Sequence, residues 1–475
     1  MGLIAMIKSM YDRIFRSRAE QEYKIETVQS PAMDSLIARC SNVYAGKPPW
    51  LDEEDGVRTI NFAKSVCSEV ARLSMLATSI KVDGSARADY LQEQVDDMYF
   101  KIREWVEFGC AYGTIAVKPN GRGFDRFTPN NFVVTDCDDD HITGAVFRDS
   151  YTVGDKHYTR LEYHRFEGDG YVISNRAYVS KSSTDLGDRI PLEDTRWKDL
   201  LDDTPPITKA NGEKLDGPMF GIFRTPAANN VDIESPLGMP IYAEALEELR
   251  DLDVAYSRNA TEIFDSQKIV LIDDQLTKQA GQGKKNEDGT AAQQRVQLPH
   301  YVKDVFGISS EVPFYQEIVP ALQTSVRLEG LNSQLSLVGY KCGFSQGYFV
   351  FDQKTGMVTA TQVESDDRRT IQLIKDIRDK LEGCIDDAIY ALSIYADLYG
   401  LAPAGEYEIT YDFGDITYNR EEDRARWWSY VVQNKVPAWM YFQKFEGMSE
   451  EEAKAMVEEA TPKEEPVGMF GGGEE

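Results

Sequence analysis

The sequence predicts an α+β protein, and three observations carry that expectation. Two runs with helical period come first; the chain then changes to short β-rich runs separated by hairpin signals; long amphipathic helices return after a turn-rich junction. With 475 residues, 42% of them hydrophobic, the chain is long enough for two to four domains with their own cores.

The first helix is expected over Val57–Ile80, with Ile60, Ala63, Cys67, Val70 and Leu73 on one face, and the second from Asp89 to Gly113. Asn120-Gly121 then marks one hairpin, and Gly168-Asp169-Gly170 marks another between YTRLEYHRFE and YVISNRAYVS. Next comes RTPAANNVDIESPLG, Arg224 to Gly238. Its Asn-Asn, Ser-Pro and Gly punctuation suits either a boundary between two mechanical parts or a surface loop.

Beyond it, Tyr242, Leu246, Leu249, Tyr256, Ala260 and Ile263 form a near-heptad stripe, interrupted by Asp253, that suits packing against neighbouring helices. KIVLIDD reads as a strand, TKQAGQGKKNEDGTAAQQ as a flexible polar tip, RVQL and VPFYQEI as extended segments, and the run to Tyr340 as another helix. KCGFSQGYFVFDQKTGMV is a glycine-interrupted aromatic loop. Thr359 with Gln362, or Thr361 with Glu364, then opens the longest helix, which runs to Gly400. Gly383 in its middle costs about 1 kcal/mol relative to Ala and predicts a kink. The tail holds a strand-like EYEITYDF, a helix around REEDRARWWSYVVQ, a segment started by Pro437, and a last helix capped by Ser449 with Glu452. From Leu401 on it carries 17 acidic against 7 basic residues, and its last stretch reads as disordered.

Composition narrows function. The formal charge is -28, the wrong sign for a protein that holds DNA by neutralising phosphates. Six scattered cysteines without a CxxC pair or a secretory leader read as free thiols. No apolar run approaches the roughly 18 residues that span a bilayer. Leu3, Ile7, Met10, Ile14 and Arg18 lie at helical spacing; a helix docked on its own protein or a sister subunit is the first reading, a membrane-surface helix the second.

Catalytic signatures are missing. GQGKK lacks the leading glycine and the trailing Ser or Thr of a phosphate loop, Gly121 opens no dinucleotide fingerprint, and the four histidines have no metal-ligand spacing. The reading is therefore of no enzyme and no cofactor. Asp136, Asp138, Asp139, Asp140 and His141 form an Asp-rich cluster that reads as a solvated turn ahead of a cation site. Trp427-Trp428, with Arg424 and Arg426, reads as core or interface ahead of a base-stacking platform.

Four segments in order carry a resemblance. MFGIFRTPAANNVDIESPLGMPIYAEALEELRDLDVAYSRNATEI, the strands from Tyr158, TATQVESDDRRTIQLIKDI from Thr359, and WSYVVQNKVPAWMYFQKFEGMSEEEA together resemble the tailed-phage portal proteins, in the SPP1-like, minor-capsid-type branch. The resemblance covers about Val57 to Ala460 and implies a portal fold. In that fold 1–240 is an α+β wing, 241–267 the first stem helix, 268–315 a small α/β clip and 316–340 the second stem helix. Residues 341–358 are then the tunnel loop, 359–400 a long kinked helix, and 401–475 a wing strand, helical crown and acidic tail. The 224–238 stretch becomes the hinge from wing into stem.

The function implied is a ring of twelve copies at one capsid vertex, through which double-stranded DNA is packaged and ejected, assembled in the host cytoplasm. Its partners would be terminase large subunit, a head-tail adaptor, and the major capsid or scaffolding protein, without a membrane. The resemblance makes Lys341, Phe344, Gln346, Tyr348 and Lys354 the DNA-facing tunnel loop, Lys284 and Lys285 the clip tip, and Leu246, Leu249, Tyr256 and Ile263 the stem packing. Helices packed roughly 8–10 Å apart give twelve stem helices a circumference of about 110 Å and a circle about 35 Å across their axes, which leaves room for a duplex. An acidic conduit repels phosphate, so DNA slides. Another head-tail connector would lack the 277–294 excursion between two stem helices, and a packaging ATPase or nuclease would need the missing phosphate loop or carboxylate set.

Overall fold

The computed structural model describes residues 15–28, 30–51, 56–121, 123–139, 141–182, 184–265, 269–273, 278–285, 291–295, 302–305, 315–318, 324–351, 368–414, 420–433, 435–446 and 448–460. They fall into two units, Met1–Phe413 and Gly414–Glu475.

In the larger unit a helix over 15–23 (α1) is followed by α2 (Pro31–Tyr44), α3 (Phe62–Ser74), β1 (Thr78–Asp83) and α4 (Ala86–Tyr112). The β-rich middle supplies β2 (Thr114–Pro119), β3 (Phe124–Phe127), β4 (Phe132–Asp138), β5 (His141–Val153), β6 (Lys156–Glu167), β7 (Gly170–Ser180), β8 (Asp188–Ile190) and β9 (Gly221–Arg224). Both hairpin signals are met: β2 pairs with β3 across Asn120-Gly121, and β6 with β7 across Gly168-Asp169. β4 to β8 make a five-stranded antiparallel meander, and β3-β2-β9 a second sheet.

Strand alternation builds two cores from one sheet. Ala145 and Phe147 of β5 face α2 through Met33 and Ile37, whereas Val146 between them joins Phe15 and Ala19 of α1 on the other face. The described part of the N-terminal segment is thus docked on its own protein. Between the sheets lies a buried ionic cluster. Glu162 accepts from Lys118 of β2 at 2.7 Å and Arg160 at 2.6 Å, and its other oxygen meets His164 Nε2 at 3.1 Å. Burial pushes the Glu162 carboxyl up, but Arg160 and Lys118 outweigh it and leave it well below the usual range.

The expected helix to Ile80 stops at Ser74. Residues from Thr78 on form β1, which pairs antiparallel with β15 (Glu408–Phe413), named here ahead of its place in the chain. Thr78, Ile80 and Val82 are buried, and a partner strand from the far end of the unit overrides a marginal helical period.

After β9 come α5 (Leu246–Asp265), β10 (Ile269–Asp273), β11 (Lys278–Lys285), β12 (Ala291–Arg295), β13 (Val302–Val305), β14 (Tyr315–Ile318), α6 (Thr324–Lys341) and α7 (Arg368–Tyr399). β10 pairs parallel with β13 and antiparallel with β14, and β11 pairs with β12. Two expectations change here. The polar 277–294 excursion is a hairpin: its lack of core residues says nothing against a ladder closed by backbone alone. Gln316–Ile318, assigned to the second stem helix, belong to β14, where backbone pairing with β10 takes precedence. α6 starts at Thr324 and packs beside α5.

α7 runs unbroken through Gly383, around which a Cβ would meet open space. It lies on β9 so closely that a Cβ at Gly221 would stand 2.1 Å from the Cys384 carbonyl oxygen. The proposed capping boxes at Thr359 and Thr361 lie outside the described residues.

The smaller unit holds α8 (Arg420–Val432), α9 (Ala438–Glu446) and α10 (Glu450–Ala460). Ser449 and Glu452 form the expected box, Glu452 N–H donating to Ser449 Oγ at 3.3 Å and Ser449 N–H to Glu452 Oε2 at 3.0 Å. Trp427 meets Phe445 at 6.1 Å and Trp428 meets Tyr441 at 5.1 Å between centroids, so the tryptophan pair packs helix on helix.

Candidate functional site

The site of interest is the joint where α5, α6 and α7 meet α3. α5 does not begin at 241. Tyr242, fully buried, donates its hydroxyl to the Cys40 and Ala111 carbonyls at 2.9 and 3.0 Å, and the helix starts at Leu246. Of the residues assigned to stem packing, Leu246 and Leu249 are buried and Tyr256 is 36% exposed. The Ile263 side chain lies outside the described residues.

Asp253, the polar break in that stripe, is 3% exposed and is an anchor. Its two carboxylate oxygens accept from Trp50 Nε1 at 2.9 Å and from the Ile60 N–H at 2.9 Å. One turn on, Ser257 Oγ accepts from Arg58 N–H at 2.7 Å. Burial pushes the Asp253 carboxyl above the usual aspartate range despite these donors.

The stretch expected to act as a hinge is pinned. Thr225 Oγ1 donates to the Met239 carbonyl at 2.6 Å, Gly238 N–H donates to Thr114 Oγ1 at 2.8 Å, and the Asn229 amide donates to the Leu237 carbonyl at 3.1 Å.

At the far end of α6, Lys341 is the last helical residue and not a loop residue. Its ammonium donates to the Glu244 carbonyl at 3.1 Å and pairs with the Glu248 carboxylate, tying α6 to α5. The chain then makes two tight turns, with Gly343 at φ 93° and Gly347 at φ 82°. Between them Phe344 is fully buried and packs against Tyr348 (tilted) and Phe349 (edge-on) at 4.9 and 4.7 Å between centroids, and Phe349 meets Phe62 of α3 edge-on at 5.0 Å. Tyr348 donates its hydroxyl to Glu69 at 2.5 Å. Hydrogen bonds from Arg72 chiefly hold the Glu69 carboxyl below its ordinary range, and Tyr348 adds to that.

The loop is also closed on itself. Ser345 N–H donates to Thr370 Oγ1 at 2.9 Å and Thr370 N–H to Ser345 Oγ at 3.3 Å, both residues buried, so one clamp ties the turn after α6 to the start of α7. Arg369 lies 3.9 Å from the Tyr340 ring centroid.

Of the five residues expected to face DNA, Phe344 and Tyr348 therefore pack inward, Lys341 sits in a helix end, Gln346 is exposed, and Lys354 lies outside the described residues. The run Tyr348–Phe351, weighed as a buried strand, is irregular, with Val350 and Phe351 exposed. Lys284 and Lys285 end β11; their side chains are not described. Elsewhere, the cluster expected as a solvated turn is mostly strand: Asp136 and Asp138 end β4 and His141 opens β5, with Asp139 left-handed at φ 54° and Asp140 undescribed, and among the described residues no group of His, Cys, Asp or Glu is placed to hold a metal ion.

Two helix caps escaped the sequence reading. Arg87, 1% exposed at the start of α4, donates to the Ser393, Ala402 and Pro403 carbonyls and to Asp397 Oδ1 at the end of α7. Arg378 of α7 donates to the Ser74, Leu73 and Leu76 carbonyls at the end of α3.

The family model for phage portal protein, SPP1 Gp6-like, matches residues 80–465. The chain belongs to that portal family. No match was found among curated proteins. The match begins within β1 and runs past α10, so in this portal protein it covers the α5–α6 pair, the strands between them and the Ser345–Thr370 clamp, while α3 lies ahead of it. Among the described residues, no helix is long and apolar enough to cross a membrane.

Proposed function

We propose that this portal protein works as a ring of twelve copies that conducts double-stranded DNA through its centre, for packaging and for ejection, and that its role is structural and not enzymatic. The observation that carries the reading is the family match across 80–465, which includes both helices of the α5–α6 pair. The net charge of -28 per chain supports a conduit that repels phosphate.

Within that reading, the contact with DNA falls to Gln346 and to the segment between Phe351 and Arg368, which carries Lys354. The inward packing of Phe344 and Tyr348 makes them the root of the loop and leaves these polar groups for weak, sequence-independent contacts. Replacing Gln346 and Lys354 together by alanine should leave ring assembly and thermal unfolding unchanged and lower packaged DNA per head several-fold. Packaging at the wild-type level would sink the assignment.

The β10–β14 region is proposed as the docking site for terminase and the head-tail adaptor. Deleting 281–289 removes the last five residues of β11 without touching β10, β13 or β14. Rings should persist while binding of the motor or adaptor weakens. Loss of the ring itself would mean that the hairpin holds the assembly together.

A further inference from the structure

The pinned loop after β9 displays something. Asn229, 4% exposed, organises it from inside: besides holding the Leu237 carbonyl, its Oδ1 accepts the Val231 and Asp232 N–H groups at 3.0 and 2.9 Å. Asp232 Oδ1 accepts Glu234 N–H at 3.2 Å, and Ser235 Oγ accepts Leu237 N–H at 3.3 Å. On this tied frame Ile233 is 91% exposed and Val231 42% exposed, with the carboxylates of Asp232 and Glu234 alternating with them. An aliphatic tip held rigid in water gains nothing for the free chain. Its ordering cost is already met before any partner arrives.

A second surface has the opposite character. α3 and α4 flank a groove of about 380 Å³ lined in part by Lys64, Ser65, Ser68, Glu69, Arg72 and Arg103; Arg72 pairs with Glu69 at 2.7 Å and Lys64 with Glu107 at 3.3 Å, which leaves three cations against two carboxylates. One turn before Arg103 on the same side of α4, Phe100 is 89% exposed. One patch is thus aliphatic and acidic, the other aromatic and basic, and they sit on different elements of the same chain.

A closed ring is built from heterologous contacts, in which two different patches of each copy meet. We propose that the Val231–Glu234 tip of one copy docks on the α3–α4 face of the next, Ile233 against Phe100 and the groove mouth, Glu234 toward Arg103 and Lys64. The inference rests on the ring reading above. Charge complementarity selects a second copy as the occupant.

The test uses the purified full-length chain, sized by mass photometry and negative-stain imaging. Ile233→Asp should cut ring formation on the order of tenfold or more while circular dichroism and unfolding stay unchanged, since the residue is 91% exposed in its own chain. Glu234→Arg and Arg103→Glu should each weaken assembly, and the two together should restore it, because every interface then carries a swapped pair. Ile233→Cys with Ser68→Cys should give an oxidation-dependent ladder of linked chains above the background from exposed Cys137. Rings of Ile233→Asp at wild-type yield, or rings of the cysteine pair with no ladder, would overturn the inference and leave the ring reading intact. Rings that form but fail to enter capsids would overturn it in favour of another virion protein. A wild-type chain that makes no rings removes the ring reading, and this inference with it.

Discussion

Arg87→Met is expected to destabilise the larger unit by roughly 3–5 kcal/mol, the range for removing one partner of a buried, hydrogen-bonded charge. The guanidinium is 1% exposed and serves five acceptors: three carbonyls, the Ser393 hydroxyl at 3.1 Å and the Asp397 carboxylate at 2.5 Å. Two of those carbonyls, Ala402 and Pro403, lie just past the end of α7, where no intrahelical donor is available, and the third, Ser393, lies within its last two turns. Methionine fills much of the volume and donates nothing, so the acceptors stay buried and unpaired. Asp397→Asn should cost about 1 kcal/mol or less, because that side chain is 31% exposed and the arginine keeps its other acceptors. Urea unfolding of the two variants separates capping from pairing. Equal losses would point to the ion pair, and a loss below about 1 kcal/mol for Arg87→Met would contradict the cap.

Arg87 and Arg378 act as reciprocal braces. The first lies at the start of α4 and closes the end of α7; the second lies on α7 and closes the end of α3. Neither role was legible in the sequence, because the acceptors lie more than 300 residues away in the chain and are backbone carbonyls, which carry no residue type. The hairpins at Asn120-Gly121 and Gly168-Gly170 were legible because turn chemistry is local. β1 was not, since its pairing partner Glu408–Phe413 comes from the other end of the unit. The β11–β12 hairpin was misread for a related reason: composition reports what can form a core, and a two-stranded ladder needs none.

The candidate site divides the same way. Family resemblance placed a loop after α6, and glycine spacing marked its turns, but the resemblance could not tell which aromatic residues point outward. Phe344 and Tyr348 find their partners on α3 and α7, through Phe349, Phe62, Glu69 and the Ser345–Thr370 clamp. Those contacts are tertiary, and they convert the first half of an expected channel loop into a root. Asp253 is different. A carboxylate in the middle of an apolar helical stripe is an anomaly visible without coordinates, and a buried carboxylate must have donors.

Asp253→Ala should therefore be the second large loss, roughly 2–6 kcal/mol, because it leaves the Trp50 indole N–H and the Ile60 N–H without an acceptor at about 1–3 kcal/mol each. The position matters beyond stability. Trp50 and Ile60 precede α3, and α3 carries the Glu69 that holds Tyr348, so Asp253 fixes α5 to the element on which the loop root rests. Asp253→Asn isolates the charge. Its carbonyl oxygen still accepts one of the two donors, while its amide presents N–H to the other, so about half the loss is expected. pH distinguishes the two effects. The folded carboxyl titrates above the unfolded value of about 3.9. This site therefore favours folding most below that unfolded value, and the contribution fades as pH rises through the folded value. Wild type should lose stability relative to Asp253→Asn as pH climbs through mild acid, with the gap constant once the carboxyl is fully ionised. Parallel stability curves for the two proteins from pH 3 to 7 would show that Asp253 is not a strained, buried carboxylate, and an Asp253→Ala protein within about 0.5 kcal/mol of wild type would remove it as the anchor of α5.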